Sequence, residues 1–362
     1  MPRRVAVVYN QPLSSRYDER GEGKAVAGVL GAVTAVKKAL IELGDTVIDV
    51  PLSLPVSQVI NILRSLDADV VFNLFEGFCG NPETEVLVPE ILSQLRVPYT
   101  GCSGPVLKLA LDKAGVNEVL KNAGIPTPDF QVLALQNMDR FNLSFPCMVK
   151  PRNEDASHGL SESSVVNSFD MLRRQVKNVS DSFGGSALVE EFLAGREFNA
   201  TVLGNDKIYV LPVSEIVYSL PREVPRILTF AAKWDVDSPY YKGTQAVCPA
   251  EIEKHEHHLI TETAIAAFRL LGCRGYARID MRFNDAGQLN VIEVNPNPDI
   301  SPDAGAARQA LAAGMTYTQF VEKIIQLSLE KEYNAGKNPS HGEKRQTIPG
   351  GHFKGYTRVQ TV

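Results

Sequence analysis

Short apolar runs alternating with longer helical repeats set the rhythm of the first hundred residues. The run VAVVY at 5–9 is apolar on both faces, as a strand inside a parallel sheet must be. A helical period covers 24–43 and closes at Gly44, a residue that takes a left-handed C-cap without steric cost. Strand-like runs follow at 46–50, 69–74 and 97–101, with helical periods at 56–66 and 83–95 between them. This alternation predicts a doubly wound parallel sheet with crossover helices. Residues 104–123 predict one further helix, stopped by Gly124 and the breaker Pro126-Thr127-Pro128.

The texture changes near residue 145. Strand-like runs PCMVKP (146–151), SALVEEFL (186–193), EFNATVLG (197–204) and KIYVLPVSEIV (207–217) are broken by helical periods at 168–179 and 252–271. Residues 275–298 read as two apolar strands around the turn Asn284-Asp285-Ala286-Gly287, a hairpin signal. Helical patterns return at 304–313 and 316–330. The expected architecture is therefore α/β: an N-terminal doubly wound α/β domain (1–103) followed by a region of mixed strands and helices up to 330. From residue 331 the chain carries too little apolar content to fold alone, which predicts a solvated, disordered tail at 331–362. Contact with a partner or substrate is the other reading of that basic segment. No internal repeat is evident.

Composition narrows the function. The 362 residues carry a formal charge of −5, which argues against a nucleic-acid binder, because phosphate neutralisation needs surplus Lys and Arg. The five cysteines, at 79, 102, 147, 248 and 273, form no short ligand spacing, so neither a disulfide framework nor a zinc site is expected. Cys79, Cys147 and Cys273 sit in or beside apolar runs and read as buried thiols. The first apolar run is too short for a signal peptide, and no stretch approaches the roughly 18 apolar residues of a membrane span. The expected address is the cytoplasm, with no membrane partner.

The candidate chemistry lies in the hairpin. Arg278 and Asp280 are two apart on one predicted strand and share a face; Glu293 and Asn295 do the same on the next. If the strands pair, hard oxygen donors converge in a set that suits Mg²⁺. The neighbouring guanidinium suits a developing oxyanion or a phosphoryl group. A structural ion cluster at a sheet edge would use the same residues, and the pattern alone leaves both readings open. Lys150 ends an apolar strand just before a polar loop containing Ser157 and Gly159, an arrangement that can cover nucleotide phosphates. Lys113 stands on the preceding helix; either lysine could equally be a solvated surface residue. Glu190 to Leu193 join a strand to a linker that ends at Glu197, where an adenine edge and a ribose could be held, or where a hinge could simply carry solvated acids.

Together, in this order and spacing, the pieces resemble the ATP-grasp superfamily and, within it, the D-alanine–D-alanine ligase family. The resemblance spans about residues 1–330 and is strongest in the second half. It is carried by Tyr99-Thr100-Gly101 before Asp112-Lys113, by Val149-Lys150-Pro151 before Ser157-His158-Gly159, by Lys233-Trp234 before Cys248-Pro249-Ala250, and by Gly275, Arg278, Asp280, Glu293 and Asn295. The resemblance implies a two-lobed α+β ATP-grasp unit, with a central lobe (104–186) and a C-terminal lobe (187–330), and an ATP-dependent ligase forming C–N bonds through an acyl phosphate. It implies that Lys113 and Lys150 contact ATP phosphates, that Ser157 and Lys233 also bind the nucleotide, that Glu190 and Leu193 hold adenine, and that Glu197 holds ribose. Asp280, Glu293 and Asn295 would hold two Mg²⁺ ions, for which Mn²⁺ can substitute, while Arg278 and Lys150 would serve catalysis. Small amino-acid or carboxylate substrates and a homodimer are further implications.

Departures from the family fall on the amino-acid side. The serine of the family's phosphate loop aligns with Ala156, and a tyrosine of the same triad aligns with Trp234. The family's N-terminal SxEREVS motif is absent from 14–23, Glu191 replaces a lysine, and Asn295 is followed by Pro296-Asn297-Pro298-Asp299. A carboxylate at Asp299 would repel a substrate carboxylate and receive an ammonium. Glu76, Trp234 and Asp299 are accordingly the substrate-side candidates. The expectation is a ligase with an altered amino-acid site; a true D-alanine–D-alanine ligase and a catalytically idle ATP-binding regulatory protein are the alternatives, and an ATP-grasp carboxylase lacks a supporting signature.

Overall fold

The computed structural model describes residues 2–11, 18, 23–155 and 157–330. Ala156, the segment 14–17 and 19–22 of the missing motif, and the expected tail at 331–362 lie outside them. The first unit runs β1 (Arg4–Asn10), α1 (Gly23–Glu42), β2 (Thr46–Leu52), α2 (Val56–Ser65), β3 (Val70–Leu74) and α3 (Leu87–Leu95), and is followed by α4 (Gly104–Leu111) and α5 (Lys113–Asn122), whose Val106, Leu107, Val116 and Leu120 join the core of later strands. Its sheet has the order β2-β1-β3, and β1 pairs in parallel with both neighbours. β1 is buried from Val5 to Asn10, as its doubly apolar pattern requires.

Three local expectations are corrected here. Residues 97–101 form a single parallel bridge between Tyr99 and Val71 rather than a full strand, because Gly101 turns the chain at a φ of 85°. The helix expected over 104–123 is two. Asp112 leaves helical geometry at φ −85° and ψ 88°, caps α5 by accepting from Gly115 N, and accepts two N–H bonds from Arg152 at 2.7 and 2.6 Å. Cys79 is exposed, held in the turn at 77–81 with a φ of 52°, whereas Cys147, Cys273 and the unheralded Cys102 are buried.

The second unit holds two antiparallel sheets. β4 (Phe130–Leu133), β5 (Cys147–Pro151), β6 (Val165–Val166) and β7 (Ala187–Glu191) form one, in the order β4-β7-β5-β6, with α6 (Phe169–Phe183) laid across it through Leu172, Val176 and Val179. The expected lobe boundary at 186 thus falls before β7, which remains with the central sheet. The other sheet contains β8 (Glu197–Gly204), β9 (Ile208–Val210), β10 (Ser214–Tyr218), β11 (Thr244–Val247), β12 (Gly275–Phe283) and β13 (Leu289–Asn295). The run 207–217 splits into β9 and β10 at Pro212, which has no N–H to give a ladder. α7 (Phe230–Trp234) and α8 (Pro239–Lys242) lie between β10 and β11, while α9 (Lys254–Leu270) covers the sheet with Ile260, Ala264 and Phe268.

The last helices, α10 (Gly305–Ala312) and α11 (Tyr317–Leu329), return to the beginning of the chain. Phe320, Val321, Ile324 and Ile325 share a core with Val5, Val7, Val33, Val36 and Leu40. α10 is also pinned to the large sheet by Gln309, which is fully buried, donates to Asn199 and Ser214, and accepts from Thr201 N. No helix among the described residues is long and apolar enough to cross a membrane.

Candidate active site

The strands β12 and β13 pair so that Arg278 faces Asn295 and Asp280 faces Glu293. The convergence expected from strand alternation is therefore present, and a bulge follows immediately between Asp280 and Met281. β8 lies on the other side of β12 and sets Asn199 opposite Asp280. Arg278 grips Asp280 with two N–H bonds of 2.7 and 2.8 Å.

Asp280 and Glu293 of this patch line a cleft between the two antiparallel sheets, whereas Arg278 and Asn295 stand outside its lining. Lys113, Lys150, Ser157, Glu190, Leu193, Glu197, Lys233, Asp280 and Glu293 all line it. Residues from seven separate elements and two loops thus meet in one space. Lys113, the first residue of α5, reaches Glu293 at 3.0 Å and Asp155 at 3.1 Å. Lys150 on β5 pairs at 2.6 Å with Glu190 on β7, and Asn117 donates to the other Glu190 oxygen at 2.8 Å. Ser157 sits at a φ of 62° in the loop after β5. That loop reaches α7 through a hydrogen bond from Phe230 N to Leu160 O and a stack of His158 on Phe230 with ring centres 5.5 Å apart. α7 carries Lys233 and Trp234 on the same short helix.

The electrostatics follow from this crowding. Burial would raise the Glu293 carboxyl, but Lys113, Lys150, Lys233 and Arg278 hold it down at about 2. Burial depresses the Lys233 ammonium, and Arg278 adds to the depression. For Lys113 the burial penalty is outweighed by Asp155 and Glu293, so its pKa rises. Asp280, Glu293 and Asn295 offer only hard oxygens and stand together beside four cations. As a donor set they fit Mg²⁺ accompanied by phosphate oxygens. Among the described residues there is no three-member cluster of His, Cys, Asp and Glu, since the third donor is an amide.

Glu76, Trp234 and Asp299 stand outside this cleft lining, and of the three Asp299 acts on Arg278. Asp299 is exposed and accepts from Ser301 N and Oγ at 2.8 and 2.7 Å. Glu76 is exposed as well, and its carboxyl is raised by partial desolvation and by the nearby Asp299 and Asp155. Glu85, half-buried and hydrogen bonded by Asn297, is pushed to about 8 by burial, Asp155 and Glu76. Trp234 lies against α1: a Cβ on Gly28 would come within 3.2 Å of its ring.

Sequence reasoning missed Glu85, Asp155, Asn297, Arg282 and Tyr218 near the site. Arg282 had a signal, since it shares the strand face of Arg278 and Asp280; the others stand on loops or on strands whose neighbours only the fold supplies.

A family model for the C-terminus of D-ala D-ala ligases matches residues 119–326. A protein of Sinorhizobium fredii named only as the uncharacterized protein y4sG is 34% identical over 74% of this chain and 76% of its own length. A D-alanine–D-alanine ligase of Mannheimia succiniciproducens is 27% identical over 84% of this chain and 97% of its own. The crystal structure of Bacillus anthracis D-alanine–D-alanine ligase with ATP shares the fold at a TM-score of 0.69, with 20% identity, over 91% of this chain and 97% of that one.

Proposed function

We propose, for a chain that belongs to the D-alanine–D-alanine ligase family of ATP-grasp enzymes and is an ATP-dependent ligase forming C–N bonds, that it joins a carboxylate to an amine other than a pair of D-alanines. The observation that carries this reading is a gathering of carboxylates that ends at Asp299, the one among them that acts on Arg278. Glu76, Glu85, Asp155 and Asp299 influence one another there. Once Glu76 and Glu85 have lost their protons, such a wall disfavours a second amino-acid carboxylate and favours an ammonium. A carboxyl raised to about 8 is also matched to removing the proton that an attacking amine must lose.

The chain's own residues divide the work. A carboxylate is a poor electrophile until the γ-phosphoryl group is moved onto it, giving an acyl phosphate whose leaving group is phosphate. Lys113 and Lys150 hold the phosphates, with Lys150 leaving its pairing with Glu190 to do so. Glu190 and the Leu193 backbone hold adenine, and Glu197 holds ribose. Lys233 supports the transferred group, and Arg278 faces the oxyanion formed when the amine attacks. The loop carrying Ser157 excludes water, which would otherwise hydrolyse the acyl phosphate. Asp280, Glu293 and Asn295 would hold Mg²⁺, whose charge neutralises the phosphoryl oxygens.

The test is Mg²⁺-dependent ADP release across D- and L-amino acids, diamines and short carboxylates, offered singly and in pairs, with mass spectrometry of the products. A condensed product containing an amine other than D-alanine is expected. ADP release driven by D-alanine alone, with D-alanyl-D-alanine as product, would overturn the reading. Asp280→Asn and Glu293→Gln should each abolish turnover at unchanged circular dichroism, and activity surviving in both would remove the metal assignment.

A further inference from the structure

We infer that Arg282 and Tyr218 are positioning residues for the sugar of the bound nucleotide, acting through Glu197. The inference rests on reading the cleft as the nucleotide site and adds two residues that this reading does not contain. Glu197 opens β8 and is 7% exposed. Its Oε2 accepts from the Tyr218 hydroxyl at 2.7 Å and from an Arg282 N–H at 3.2 Å. No described residue donates to its Oε1.

The two donors are themselves fixed. Arg282 faces Glu197 across the β12–β8 ladder, and Tyr218 ends β10, the neighbour of β8 on the opposite side. Arg282 Nε donates to Gly195 O at 3.1 Å, and its guanidinium carbon lies 5.4 Å from the Phe192 ring centre and 5.8 Å from that of Tyr218. Only glycine fits at 195, since a Cβ there would come within 2.5 Å of Phe283 O. The cage is therefore built from three strands and the linker before β8.

A carboxylate with one oxygen held by two donors cannot rotate about its last bond without breaking both. The other oxygen keeps one direction, as recognition of a hydroxyl requires. Without the donors, Glu197 would still carry its charge but would spread its orientation. Electrostatics point the same way. Burial raises the Glu197 carboxyl, and Arg282 and the Tyr218 hydroxyl oppose that rise, so they favour the ionised form that accepts from hydroxyls.

The experiment is titration calorimetry of the full chain with Mg²⁺-ATP, 2′-deoxy-ATP and 3′-deoxy-ATP, a readout that needs no amino-acid substrate. The wild type should bind at least one deoxy analogue about tenfold more weakly than ATP, the size of one hydrogen bond to a charged group. Tyr218→Phe and Arg282→Met should weaken ATP binding by a similar factor while leaving that analogue's affinity unchanged, so that the ratio falls towards one; Arg282→Lys should restore part of it. Equal weakening of ATP and both analogues, with the ratio kept, would make the pair merely structural and overturn the inference. A wild type that treats all three nucleotides alike would overturn the sugar role of Glu197 and the inference with it. Should Arg282→Met fail to fold, Tyr218→Phe removes a single hydroxyl and decides alone.

Discussion

Arg278 and the raised carboxyls show how single residues carry the proposed chemistry. The Arg278 guanidinium is held by Asp280 on its own strand, so its direction is preset before any substrate arrives. Arg278→Ala should lower kcat by roughly a hundredfold or more, the scale of losing one preorganised oxyanion donor, with a small change in ATP affinity. Equal losses in both, measured by steady-state kinetics and nucleotide titration, would make it a nucleotide-binding residue instead. Glu85 has a distinct pH signature. Its folded-state pKa lies near 8, above the ordinary carboxyl value, so the folded chain holds a proton that the unfolded chain has released. Glu85 therefore adds to stability below the ordinary carboxyl range, and that contribution is lost as pH rises towards 8. Glu85→Gln should flatten this decline in denaturation midpoints between pH 5 and 8 (roughly the span from the ordinary value to the raised one). A cationic amine should also show a lower KM as pH rises through 8, once Glu76 and Glu85 ionise.

Among the elements, the break between α4 and α5 matters most. Asp112 ends one helix, caps the next and clasps Arg152 at the base of the loop after β5. Arg152 holds the Asp112 carboxyl below its usual range. This clasp contributes stability above the ordinary Asp value, and that stability is lost as pH falls through the depressed one. Asp112→Ala should cost about 1–3 kcal/mol, combining a lost cap with a lost charged hydrogen bond, and should weaken ATP binding because Lys113 follows directly. Denaturation in guanidinium and nucleotide titration would check the two effects separately. Gly159 offers a second handle, at φ 74°, with a Cβ position 2.5 Å from the Phe183 ring. Gly159→Ala should push the loop off α6 and raise the ATP KM while leaving the large sheet intact.

At the scale of the whole molecule, the chain closes on itself. α11 inserts Phe320 and Ile324 into the core shared by α1 and the parallel sheet. The substrate-side residues Glu76 and Glu85 come from the first unit and Arg278 from the large sheet, so this return sets the distance between them. Phe320→Ala should cost about 3–5 kcal/mol by leaving a cavity. It should also raise the KM for amino substrates more than that for ATP, whose proposed cleft lies between the other two sheets. An unchanged ratio of the two would mean that the first unit is held in place without α11.

Much of this was legible beforehand because it is local. Apolar runs dictated β1, β3, β8 and β12; the Asn284-Gly287 turn dictated the hairpin; strand alternation put Asp280 and Glu293 on one patch. These features depend on periods of two and about 3.6 residues and on turn chemistry, which neighbouring residues express without help. The order of motifs likewise identified the family. What neighbours could not express was decided in three dimensions. Asp112 breaks a helix because Arg152, distant in sequence, arrives beside it. Pairing with β4 and β5 assigns β7 to the central sheet. Lys150 meets Glu190, Tyr218 and Arg282 meet Glu197, and Glu85 meets Asn297, in each case across strands or loops far apart in the chain. Long-range packing sets these pairs, and with them the charge state of every acid and base in the site, because desolvation and Coulomb interactions depend on distance in space rather than in sequence.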